Sequence, residues 1–330
     1  MFFNIQTIVI FLFSVHFLST GNCSFNLSKK TNFIVYWGAN VNQGQLFDYC
    51  HNNVYDAIIL AFASSINSDG ILELTIDKCN GFGGQSCIKL GKQIQNCQKN
   101  GKLIVLSIGG ANGNYTIKSA IQATQTAIHI WNQYLNGKSN EVRPFGPDVI
   151  LDGIDLDIEM GAPIYDKFYV TLVKKLRSLM KSKINLINKS FIGRNYLISG
   201  APQCFFPDAW LGPNPHTAIT NSDLDYVSVQ FYNNGCGIQA FFGIQQFGGG
   251  TFNFQQWSET LKRVLVNKKM KLFLGIPASL DAGGGYQNAS RIKQIYQNIT
   301  HFNNLAGIMM YDAAYAIRNN HFGQQIRRFL

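Results

Sequence analysis

Charge is scarce in this chain, and acidic charge scarcest of all. Only 14% of its 330 residues are charged, and 18 are acidic. The net charge of +10 comes from scattered lysines and arginines; beyond pairs such as Lys174-Lys175 and Lys268-Lys269 there is no basic run. Nucleic-acid binding needs a concentrated basic stripe, so no nucleic-acid partner is expected. None of the seven cysteines forms a C-x-x-C pair, and the six histidines lack ligand spacing, which leaves a zinc site without donors. The glycines of Gly38-Ala39-Asn40-Val41-Asn42-Gln43-Gly44 do not have the spacing of a phosphate-cradling loop. Beyond residue 18 no segment is apolar for long enough to cross a bilayer. No metal and no cofactor is expected.

What is present begins with an apolar run over residues 2–18, followed by Ser19-Thr20-Gly21-Asn22. It reads as a secretory signal peptide over residues 1–23, although no positive charge precedes the apolar run. An uncleaved membrane anchor is the alternative. Cys23 lies in the cleavage zone, and six cysteines remain: Cys50, Cys79, Cys87, Cys97, Cys204 and Cys236. An even number in an exported chain suggests three disulfides, with the pairing left open. Sequons at Asn26, Asn114, Asn188, Asn288 and Asn298 are compatible with glycosylation. The expected product is a secreted, extracellular monomer, free of the membrane once the signal is cleaved.

Residues 22–32 are polar and read as a disordered lead-in. Eight short apolar runs then follow, over 33–37, 57–64, 103–108, 149–159, 196–199, 226–232, 272–276 and 307–311. Helical spacing separates many of them, over 87–98, 117–135, 163–180, 254–266 and 291–302. Nearly continuous apolar strands alternating with amphipathic helices indicate a parallel sheet covered on both faces. Eight such units over residues 24–330 fit one α/β domain, a (β/α)₈ TIM barrel. A doubly wound open sheet is the competing arrangement. In a barrel, chemistry sits at the C-terminal strand ends. Those ends carry Tyr36, Phe62, Gly110, Gln203, Gln230, Ala278 and Tyr311, with no Lys or Arg. Aromatics and amides without cations suit a neutral ligand such as a sugar.

The densest chemistry lies in Leu151-Asp152-Gly153-Ile154-Asp155-Leu156-Asp157-Ile158-Glu159. Side chains alternate along a strand, so Asp155, Asp157 and Glu159 share one face and Ile154, Leu156 and Ile158 the other. Carboxylates this close cannot all ionise cheaply away from water, so one holds a proton near neutrality. That is the requirement for a general acid. A solvated acidic edge or a divalent metal site would also use such a row. The apolar flanks argue against the first, and the lack of another acidic cluster against the second.

Asp152-Gly153-Ile154-Asp155-Leu156-Asp157-Ile158-Glu159 matches the DGxDxDxE signature of glycoside hydrolase family 18. Ser107-Ile108-Gly109-Gly110 matches that family's SxGG element. Tyr36-Trp37-Gly38, Ala61-Phe62, Ala201-Pro202-Gln203-Cys204 and Gln230-Phe231-Tyr232-Asn233-Asn234 resemble its plant and fungal class III, hevamine-like chitinases. The resemblance implies a retaining endochitinase that cuts β-1,4 bonds between N-acetylglucosamine units of chitin. Glu159 is then the general acid and base. Asp157 stabilises an oxazolinium-type intermediate, Asp155 hydrogen-bonds Asp157, and Tyr232 orients the substrate's acetamido oxygen. Tyr36, Phe62, Gly110, Gln230, Asn233, Ala278 and Tyr311 would bind substrate. The resemblance also implies the pairs Cys50–Cys97, Cys79–Cys87 and Cys204–Cys236, and cis peptides at Ala61–Phe62 and Tyr311–Asp312. One position departs: Tyr311 stands where the family usually has Trp. The alternatives are a non-catalytic chitin-binding lectin on the same fold, or an endo-N-acetylglucosaminidase or lysozyme-type activity.

Overall fold

A computed structural model describes residues 25–41, 43–81, 83–138, 140–184, 196–264 and 266–330; the proposed signal segment, Cys23 and Asn188 lie outside them. Ten strands form one sheet. They are β1 (Asn32–Trp37), β2 (Ala57–Ile66), β3 (Leu72–Ile76), β4 (Cys79–Gly81), β5 (Leu103–Gly110), β6 (Gly153–Ile158), β7 (Leu197–Gly200), β8 (Tyr226–Gln230), β9 (Lys271–Pro277) and β10 (Leu305–Tyr311). The sheet order is β1-β10-β9-β8-β7-β6-β5-β2-β3-β4, and a further parallel β1–β2 pairing closes eight strands into a barrel. The open-sheet alternative is thereby excluded. β3 and β4 add an antiparallel pair to the edge of β2.

The alternation read along each strand sorts the core into two layers. Ile34, Tyr36, Ile59, Ala61, Val105, Tyr226, Phe273 and Met309 pack inside the barrel. Phe33, Val35, Trp37, Ile154, Leu156 and Ile158 belong to the layer between strands and helices. Asp155 and Asp157 therefore face the interior, the only side that strand parity leaves them.

The helices are α1 (Leu46–Cys50), α2 (Gln85–Lys99), α3 (Ala120–Gln133), α4 (Asp166–Ile184), α5 (Ala218–Asn221), α6 (Phe254–Leu261), α7 (Ala289–Ile299), α8 (Ala313–Arg318) and α9 (Phe322–Arg327). α3 starts later than its apolar spacing suggests, because the Ser119 hydroxyl accepts from Gln122 N and caps it. Pro163 opens a 3₁₀ turn, Pro163–Tyr165, ahead of α4. α6 ends at Leu261, short of the expected 266. The acidic strand is also shorter than expected: it begins at Gly153, and Leu151 N bonds Tyr134 O outside the ladder. β3, β4 and α1 have too few residues for a clear periodic signal.

The lead-in is ordered from Phe25 onward, contrary to the expectation from its polarity. Phe25 is 9% exposed and lies 6.0 Å from Tyr226 and 6.1 Å from Phe273, ring to ring, among the residues inside the barrel. Asn32 holds the segment, its Oδ1 accepting from Asn26 N at 2.7 Å and its Nδ2 donating to Ala306 O at 2.7 Å. One apolar ring and one amide outweigh the polar average. Three disulfides join Cys50 to Cys97, Cys79 to Cys87 and Cys204 to Cys236.

Candidate active site

The register of three neighbouring strands builds the base of the site. Ser107 of β5 lies beside Asp155 of β6, which lies beside Ser199 of β7. Ser107 Oγ donates to Asp155 Oδ2 at 2.8 Å, and Ser199 Oγ donates to Oδ1 at 2.6 Å. Tyr36 of β1 reaches across the barrel and donates to Oδ2 at 2.7 Å. Burial pushes the Asp155 carboxyl upward, while these three hydroxyl bonds favour its ionised form. Its side-chain donors are these three hydroxyls, the Leu156 backbone adds another, and its charge helps to raise Asp157.

Two residues further along β6, Asp157 meets Gln230 of β8, whose Nε2 donates to Oδ1 at 2.9 Å. Gln230 Nε2 also lies 3.2 Å from Glu159 Oε1 and 2.9 Å from Ala201 O, so one amide serves both carboxyls. Glu159 stands just past the end of β6 and is only partly buried. Gln203 Nε2 approaches its Oε2 at 3.4 Å, and its backbone N–H donates to the Tyr115 hydroxyl at 3.1 Å. Burial raises Asp157 well above the ordinary carboxyl range, with the charges of Glu159 and Asp155 adding to the effect. Burial also raises Glu159, against hydrogen bonds from Gln230, Asp157 and Gln203. The two form a pair that shares a proton.

Tyr232 lies just after β8, its phenol raised by burial and then by the charges of Asp157 and Glu159. It stays a neutral donor. Tyr311 is partly exposed at the end of β10, 5.9 Å from the Tyr36 ring, and Phe62 lies 5.9 Å from the same ring. Both follow the expected placement, and the peptides Ala61–Phe62 and Tyr311–Asp312 are cis. Gly110 has φ +94°, and a Cβ there would lie 3.1 Å from the Phe62 ring. Its contribution is the space it leaves. Three other expected substrate contacts have partners within the protein. Tyr36 is buried beneath the cleft with its hydroxyl on Asp155. Ala278 is also buried, and its N–H donates to Tyr311 O at 2.7 Å. Asn233 Oδ1 accepts from Gly284 N at 2.7 Å, tying two loops together.

Several site residues escaped the sequence reading. Ser199 is a polar position within an apolar strand, a signal that was legible but not singular, and Ser107 stood in the SxGG element without a role assigned to it. Tyr115 donates to Gly110 O at 2.6 Å and accepts from Glu159 N, and nothing in its sequence context marks it. Asp208 is fully buried, and its carboxylate accepts from the backbone of Gln203, Trp210 and Leu211. Burial pushes it up to about 6.

Residues 32–312 match the model of glycosyl hydrolases family 18. The chain belongs to that family. It is 35% identical over 326 residues to Chitinase 2 of Rhizopus oligosporus, an alignment covering 95% of this chain and 55% of that one. It is 33% identical to Endochitinase 33 of Trichoderma harzianum, over 91% of this chain and 92% of that one. The crystal structure of ICChI chitinase from Ipomoea carnea superposes with a TM-score of 0.73 at 30% identity, covering 91% of this chain and all of the other. The chain spans about half the length of the Rhizopus chitinases it matches. Within the family 18 match fall β1, the acidic strand β6, Gln230, Tyr232 and Tyr311.

Proposed function

We propose that this family 18 chain is a secreted endochitinase that cleaves β-1,4 bonds between N-acetylglucosamine units with retention of configuration. The observation that carries the reading is that one Gln230 amide reaches both Asp157 and Glu159 at the barrel mouth, above the hydroxyl-clamped Asp155. The sugar with the reacting anomeric carbon lies over Tyr311 and Phe62. The proton moves to the cleft-facing Glu159, which gives it to the glycosidic oxygen as the C1–O bond breaks. The substrate's acetamido oxygen forms the new bond to C1, giving a cyclic oxazolinium ion, the substrate-assisted route. Asp157 accepts the acetamido N–H and offsets the positive charge. The Tyr232 phenol hydrogen-bonds the acetamido oxygen and aligns it. Glu159, now ionised, takes a proton from water as the water oxygen attacks C1 and the bond from C1 to the acetamido oxygen breaks, which restores both the acid and the acetamido group. Export as a monomer through the N-terminal segment agrees with three disulfides. Substrate is chitin or its oligomers.

The test is a soluble chitin hexamer, with products followed by mass and anomeric form. Initially β-anomeric internal products are expected. Glu159→Gln is expected to lower turnover about 10²–10⁴-fold while binding persists. Unchanged turnover in that variant sinks the acid assignment. Wild-type binding without cleavage would replace the enzyme reading with a lectin.

A further inference from the structure

The chain between β8 and α6 is rich in Gly, Phe and Gln, and in the structure it forms a wall beside the cleft. It opens with a 3₁₀ turn, Ile238–Phe242, and the Cys204–Cys236 disulfide pins it to the loop after β7. Phe252 anchors it from below, 5.1 Å from the Phe231 ring and 5.7 Å from that of Phe241. At its tip Phe247 remains 52% exposed. The Phe247 ring covers Gly284: a Cβ on that glycine would lie 2.1 Å from it. Neighbouring Gly283 packs against the Tyr232 ring. The loop therefore leans on the same rim that carries Tyr232.

Between this loop and Phe205-Phe206 is a pocket of about 410 Å³, within the range of small-ligand sites. Its described lining is aromatic, amide, hydroxyl and glycine, with no charged residue. Asn234 belongs to that lining, and its Nδ2 donates to Gln203 Oε1 at 3.1 Å; Gln203 in turn reaches Glu159. The pocket is thus two hydrogen-bonded amides away from the acid. Asn253, also in the lining, donates to Cys204 O at 2.8 Å while its Oδ1 has no hydrogen-bond partner among the described residues.

An acid must come within hydrogen-bond reach of the oxygen it protonates. With the reacting sugar over Tyr311 and Phe62, the sheet order β7-β6-β5-β2 sets Gln203 on the opposite side of Glu159 from Phe62, so the departing chain passes toward Gln203. We propose that the pocket holds an N-acetylglucosamine unit of that departing chain, with Phe205 and Phe247 as its aromatic faces. Sugar C–H faces stack on such rings, and the neutral amides match hydroxyl and acetamido groups. The 231–253 loop thereby sets how many units the enzyme prefers beyond the cut. This inference rests on the endochitinase reading.

The experiment compares wild type, Phe247→Ala, Phe205→Ala and Phe247→Trp on chitin tetramer and hexamer, with cleavage positions read by mass. Phe247→Ala is expected to lower kcat/KM for the hexamer about fivefold more than for the tetramer. Its hexamer products should shift toward fewer units on the leaving side. Phe247→Trp should restore the wild-type pattern. Phe247 is half exposed, so an unchanged melting temperature is expected for its variants. Wild-type product patterns in both alanine variants overturn the subsite. If the wild type cleaves neither oligomer, the endochitinase reading falls and this inference with it.

Discussion

Asp155 is fully buried, yet it lies beside two further carboxyls, and its ionised form depends on three hydroxyl donors. Ser199 is the simplest to remove without leaving a large cavity. Ser199→Ala takes away a bond to a buried charge, which costs about 2 kcal/mol in denaturant unfolding. The lost bond stabilised the ionised carboxyl, so the Asp155 pKa rises further. If an ionised Asp155 is needed for turnover, the acid limb of the kcat–pH profile moves to higher pH. An unmoved limb would show that Asp155 is structural only. Tyr36 and Ser107 belong to the same clamp. The resemblance gave Tyr36 as a substrate-binding aromatic; the structure buries its ring and sets its hydroxyl on Asp155.

At the scale of elements, barrel strands were easier to read than their connections. Each strand end that carries site chemistry follows a short, nearly continuous run of apolar residues, which stands out in the sequence. The polar lead-in offered no such pattern, yet Phe25 packs among the rings inside the barrel. Phe25→Ala is expected to lower stability by about 3 kcal/mol, because it opens a cavity that the strands cannot collapse to fill. Thermal and denaturant melts measure this directly, and a loss under about 0.5 kcal/mol would mean that the lead-in is not part of the core. The same limit applied to the 231–253 loop. Its composition suits either a loose insertion or a cleft wall. The long-range contacts of Phe252, Phe247 and Cys236 select the wall.

Across the whole molecule, few charges are buried among the described residues: Asp56, Lys102 and Asp152 lie just before β2, β5 and β6, and Asp155, Asp157, Asp208 and Asp312 lie along or after their strands. Asp166 starts α4, is 5% exposed, and burial raises its carboxyl from 3.8 to about 7, with the charge of Asp208 adding to the shift. The sign of its effect on stability follows from proton counting. The folded state holds this proton to higher pH than the unfolded chain does. Stability is therefore lost as pH rises from about 4 to about 7. Asp166→Asn removes that loss. Its melting temperature should exceed the wild-type value clearly at about pH 8 and much less at about pH 4. An equal gain at both would assign the effect to packing instead of titration.

The acidic row was legible because strand alternation is local: once 153–158 is a strand, Asp155 and Asp157 must share a face. Eight apolar runs and their spacing likewise pointed to the barrel, and with it the end where chemistry belongs, although only the β1–β2 pairing excluded an open sheet. Which atoms meet across that end is not local. The Ser107–Asp155–Ser199 row needs the register of three strands. The amide that serves both Asp157 and Glu159 comes from β8, more than seventy residues along the chain. Asn233 and Ala278 follow β8 and β9 as expected, but Asn233 Oδ1 accepts from Gly284 N and Ala278 N–H donates to Tyr311 O, bonds that join distant segments. Periodicity determines the face a side chain takes within its own strand. Closure of the barrel decides what stands opposite it, because those partners come from distant parts of the chain.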